Sequence, residues 1–105
     1  MNKQQAEEIL NQLGGNKFIA MTGARQFVFS ETSGIVTFKI GRNPAGINFV
    51  RITLNGLDLY DIEFLFCSVK KITIKATETN IYNDQLRGVF ERVTGLRTSL
   101  TAIYA

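Results

Sequence analysis

Asp58, Asp61 and Glu63 form the carboxylate cluster of the sequence, and hard oxygen ligands of this kind suit magnesium. Alternation along a strand puts Asp61 and Glu63 on one face with Arg51, which favours an ion pair over a metal site. Asp58 sits beside Asn55-Gly56, where a turn carboxylate is ordinary. None of the 105 residues is histidine. The usual general base, the Ser-His-Asp and Cys-His arrangements and the commonest zinc ligand are therefore missing. The single cysteine, Cys67, makes neither an internal disulfide nor a zinc site, and beside Phe66 it reads as a small buried hydrophobe. Gly14-Gly15 and Gly23 lack the Lys-Ser/Thr that completes a phosphate-binding loop and read as turns. The expectation is a protein that is not an enzyme, with no catalytic residue, no metal ligand and no cofactor.

A different chemistry is legible in the cations. Five Lys or Arg lie between Gly14 and Gly56 against one acid, Glu31, and the next residues reverse the sign with Asp58, Asp61 and Glu63. The chain is electrically two-sided, with a net charge of +3, which suits an anionic partner without requiring one. Arg25, Lys39, Arg42, Phe49, Arg51, Lys71 and Lys75 are the candidate contact residues for a nucleic acid or another partner. Cations beside an aromatic ring can pair with phosphates while a base stacks on the ring.

The element that must position them is a hairpin at the middle of one sheet. Val50, Ile52 and Leu54 alternate with Arg51 and Thr53, and Tyr60, Ile62 and Phe64 alternate with Asp61 and Glu63. A two-residue turn at Asn55-Gly56 would set Val50 opposite Asp61, a carboxylate on the apolar face. A five-residue connection, Asn55 to Leu59, instead pairs Leu54 with Tyr60, Ile52 with Ile62, Val50 with Phe64 and Arg51 with Glu63.

Around this hairpin, residues 2–13 predict a helix, with Ala6, Ile9, Leu10 and Leu13 in one stripe, stopped at Gly14-Gly15. Lys17 to Ala24 reads as a first strand, and Gly23-Ala24-Arg25 as a turn or bulge. Gln26–Ser30 and Ile35–Ile40 make a hairpin with Phe27, Phe29, Val36 and Phe38 on one face. Gly41 to Gly46 is a loop. Lys71–Ala76 is the last strand, with Ile72, Ile74 and Ala76 inward and Lys71, Thr73 and Lys75 outward. Thr79 or Asn80 caps a second helix whose stripe runs through Ile81 or Tyr82, Leu86, Val89, Phe90 and Val93 to a stop at Gly95. The tail from Leu96 to Ala105 packs along the domain or adds a short strand.

The expected fold is α+β, one two-layer domain over residues 1–105. It has an N-terminal helix, about five antiparallel strands and a C-terminal helix, with both helices on one sheet face. The other face would then carry Thr37, Lys39, Phe49, Arg51, Thr53, Asp61, Glu63, Leu65, Lys71, Thr73 and Lys75. Antiparallel sheets often leave such a face simply solvated, so an inert or protein-contact surface stands beside the nucleic-acid reading. Apolar runs of only a few residues predict no membrane span, and Glu7 and Glu8 in place of an apolar stretch predict no signal peptide. One cysteine fits a reducing, cytoplasmic setting. Uncovered strand edges allow a homodimer.

The segments from Leu13 to Ala24, Phe38-Lys39-Ile40, Leu54 to Asp61, Asp84-Gln85-Leu86 and Thr94-Gly95-Leu96 resemble small proteins encoded by bacteriophages and mobile elements of gut-type bacteria. The likeness spans most of the chain. It implies a phage or bacterial cytoplasmic setting and carries no residue roles. Three functions stay open: an accessory binding protein contacting single-stranded nucleic acid through the open basic face, a protein-binding inhibitor of a host defence enzyme, and a metal-dependent enzyme built on Asp61.

Overall fold

The computed structural model describes residues 3–30 and 32–98. Helix α1 (Lys3–Leu13) and helix α2 (Gly15–Thr22) lead into strands β1 (Arg25–Ser30), β2 (Ile35–Lys39), β3 (Phe49–Leu54), β4 (Tyr60–Cys67) and β5 (Ile72–Ile81). A 3-10 turn at Asn83–Gln85 and helix α3 (Leu86–Thr94) follow. The strands form an antiparallel meander in the order β1-β2-β3-β4-β5. The expected tail lies mostly outside the described residues, from 99 onward.

The central hairpin has the expected register. Leu54 pairs with Tyr60, Ile52 with Ile62, Arg51 with Glu63 and Val50 with Phe64. The connection is closed by Asn55, whose Oδ1 accepts the backbone N–H groups of Leu57 and Leu59 at 2.8 and 3.2 Å. The positive φ falls on Asp58, at 59°, and not on Asn55 or Gly56. Asn55 builds the turn with its side chain and keeps ordinary backbone angles.

All helices cover one face of the sheet. Ile9, Leu13, Phe18, Leu86 and Phe90 from the helices bury against Val36, Phe38, Val50, Ile52, Ile62 and Phe64 in one cluster. Phe18 is fully buried, with its ring edge-on to Phe38 at 5.7 Å and to Phe90 at 5.0 Å.

Phe18 lies in the segment expected as a first strand, and Gly15–Thr22 is a helix instead. An apolar run this short has no decisive period. What decides is the core: Phe18 and Thr22, one turn apart, are buried together, and the Thr22 hydroxyl donates to the Phe18 carbonyl at 2.7 Å. Gly14, at φ 130°, breaks the chain between α1 and α2 rather than ending the helical region.

Strand β5 departs twice from simple alternation. Phe64 faces Ala76 but Leu65 faces Ile74, which leaves Lys75 as an extra, bulged residue. Ile72 and Ile74 therefore point away from the helices and are 67% and 57% exposed, whereas Thr73, opposite Phe66, takes the helix side. The expected inward Ile72-Ile74-Ala76 row does not form, because one inserted residue reverses the faces N-terminal to it. A second shift, at Asn80 (φ 55°), lies between the Tyr60–Ile81 and Ile62–Glu78 pairs. Asp61 braces it, accepting from the Asn80 backbone N–H and the Asn55 side chain at 3.0 and 3.2 Å. Thr79 and Asn80 are thus strand residues, not a helix cap, and α3 begins at Leu86. It ends on Gly95 in the left-handed region, where an added Cβ would stand 3.2 Å from Pro44.

Phe18→Ala opens a cavity beside the Phe38 and Phe90 rings and should lower unfolding free energy by about 3–5 kcal/mol, read by urea denaturation. Burial, then the charges of Glu8 and Asp58, raise the Tyr60 phenol above its ordinary pKa. The fold therefore favours neutral Tyr60, and that stabilisation is present below pH 10 and fades as pH rises through the folded value. Wild type should lose stability above about pH 10 more steeply than Tyr60→Phe, measured by melting across alkaline pH.

Candidate nucleic-acid interface

The register places one end of every strand together: the start of β1, the end of β2, the start of β3, the end of β4 and the start of β5. Loop 40–48 and turn 68–71 close this end. Arg25, Lys39, Arg42, Lys70, Lys71 and Lys75 all fall on it, and neither 36–48 nor 64–77 contains an Asp or Glu. The acids Asp58, Asp61 and Asp84 belong to the opposite end. Charge is segregated along the strand direction.

On the face away from the helices, one row crosses the sheet at this end: Arg25, Lys39, Phe49, Leu65 and Ile74. Arg25 was expected in a loop but opens β1 as the cross-strand partner of Lys39. A bulge around Gln26, at φ 56°, makes this happen. It also turns Val28 to the same face as Arg25, although their positions differ by an odd number, three. Leu65 is buried on this side, flanked by Phe49 and Ile74. Arg25, Lys39, Asn48, Phe49 and Cys67 line a depression of about 150 Å³. Its floor is fixed by Asn48. The Asn48 amide donates to the Cys67 carbonyl at 2.8 Å and accepts the Cys67 N–H at 2.7 Å, as a strand neighbour would. The Arg25 guanidinium donates to the Gly23 carbonyl at 3.0 Å through Nη1, which steadies it and uses one of its several N–H donors.

No family model, curated protein or solved structure matches this chain.

The other expected contact residues divide. Phe49 is half-buried in the row. Arg51 faces the same side but is bound to Glu63 at 3.0 Å, and Thr37 and Thr77 flank that pair. Lys71 lies in the turn closed by Ser68, whose N–H donates to the Lys71 carbonyl at 2.9 Å. Lys75 stands in the bulge with its stem beside Gly46 and has no cross-strand partner in the row. Arg42 borders a second hollow, with Ile40, Gly46, Ile47 and Phe66, on the other side of loop 40–48. Asn43 ties that loop by donating to the Gly41 and Ile47 carbonyls and accepting the Ile47 N–H. Lys70, Asn48 and exposed Phe66 were not singled out in the sequence. Lys70 could have been, from its pairing with Lys71, but nothing in the spacing marks Asn48.

Asp61 is engaged by Asn55 and Asn80, and Glu63 by Arg51. Among the described residues no three of His, Cys, Asp and Glu gather as metal ligands, and no helix is long and apolar enough to cross a membrane. Cys67 is half-buried at the rim of the depression, not in the core.

Like charges directly opposite each other on adjacent strands destabilise a sheet. Lys39→Glu should therefore stabilise the fold, by about 0.2–1 kcal/mol, by giving Arg25 an opposite charge. Thermal melting at low salt checks this, and the gain should shrink in high salt.

Proposed function

We propose that this chain is a non-catalytic binding module that contacts single-stranded nucleic acid through the cationic end of its open sheet face. The observation that carries the reading is the Arg25–Lys39–Phe49 row: two cations with no acid in the row, next to a ring, on a face the helices leave uncovered. Phosphates supply charge to such a row, and unstacked bases supply flat apolar surface to Phe49 and Ile74. A duplex presents phosphates but keeps its bases stacked, so it would use only half of this chemistry. The resemblance to small phage and mobile-element proteins supports an accessory role in a bacterial host.

A second reading is favoured by one observation. Val28, Ile72 and Ile74 are more than half exposed on the same face, and exposed aliphatic side chains suit a protein partner, such as a host defence enzyme that the chain inhibits. Val28 stands on β1 and Ile72 and Ile74 on β5, the two outer strands, with Ile74 closing the row that Arg25 opens.

Binding of a fluorescent oligothymidylate at low ionic strength should be measurable and should fall linearly in log K against log salt. Lys39→Glu combined with Lys71→Glu should weaken it by about tenfold or more. Absence of binding at low salt would end the nucleic-acid reading.

A further inference from the structure

We infer that the depression between Arg25, Lys39 and Phe49 is a subsite for one nucleotide unit of a single strand, holding the phosphate between the two cations and its base against the ring. The inference rests on the function proposed above and locates its central contact. Three observations carry it.

Arg25 and Lys39 are direct cross-strand partners of like charge. Among the described residues the ion pairs are Arg51–Glu63 and Arg92–Glu78, and neither includes them. An anion seated between them turns a repulsive pair into two attractive contacts, with the Arg25 fork offering paired donors suited to phosphate oxygens.

The depression is too small for a whole drug-sized molecule. Pockets that enclose a whole small molecule run to roughly 300–1,000 Å³, and this one is about 150 Å³. It can hold one group of a longer partner, whose remainder continues over the open face.

The third observation is rigidity. Asn48 is locked to Cys67 by two hydrogen bonds, and Phe49 is held at the first position of β3. The Asn48–Cys67 bridge and the half-buried ring keep their places before a strand arrives, and one hydrogen bond to Gly23 restrains Arg25, while Lys39 is ordered by the phosphate it meets.

The test uses the full chain and three probes: oligothymidylate, an abasic deoxyribose-phosphate strand of the same length, and poly-glutamate. Lys39→Gln should weaken both strands and lower the oligothymidylate salt slope by about 0.7. Phe49→Leu should weaken oligothymidylate about fivefold or more while leaving the abasic strand unchanged. Lys17→Gln, on α2 in the helix layer, should change neither. Melting curves of each variant confirm that it is folded. If wild type binds oligothymidylate and neither Lys39→Gln nor Phe49→Leu alters it, the subsite is overturned while the face keeps its function. If wild type does not bind it at all, both fail. Equal binding of poly-glutamate, insensitive to Phe49→Leu, would overturn the subsite in favour of an acidic protein surface.

Discussion

The pairing of Val50 with Phe64 and Ile52 with Ile62 fixes everything else in the molecule. These side chains face the helices from the adjacent inner strands β3 and β4, so their register decides which residues enter the core and which face water. A slip of one residue would turn one strand over and bring either Arg51 or Asp61 and Glu63 beneath the helices, where unpaired charge is strongly unfavourable. The outer strands inherit their orientation from this pair. The helix layer, with Phe18 and Phe90 at its centre, then closes over the only face that is continuously apolar.

That dependence explains what could be read from the sequence. The inner hairpin, the β1-β2 hairpin, α1 and the Gly95 stop follow from local alternation, helical stripes and turn residues. The failures lie where one inserted residue changes the count. Bulges at Gln26, Lys75 and Asn80 each reverse a face, and residues such as Gln and Lys do not advertise a bulge as glycine does. Segment 17–24 failed for another reason. Its run of Phe18, Ile19, Ala20 and Met21 suits either period, and the Phe38 and Phe90 rings that select the helix come from far along the chain.

The candidate interface was legible in residue type and only partly in arrangement. The sequence marks Arg25, Lys39 and Phe49, but their convergence into one row needs the bulge that brings Arg25 to Lys39. The same kind of irregularity removes Lys75 from that row and puts Ile74 into it. The open face is consequently more apolar, and its charge more concentrated at one end, than simple alternation suggests. Arg51 is present on the face but engaged with Glu63, so position alone does not make a cation available.

The kinked outer strands have a bearing on self-association. A straight, unpaired strand edge is a template for adding further chains, and the two edges of this sheet lie beside exposed aliphatic side chains. At β1 the backbone is deflected at Gln26, and at β5 it is deflected at Lys75 and again at Asn80, so neither border offers a long uninterrupted ladder to a neighbour. The distortions that arrange the candidate interface are thus also of the kind that blunts edge-to-edge pairing beside the exposed Val28, Ile72 and Ile74.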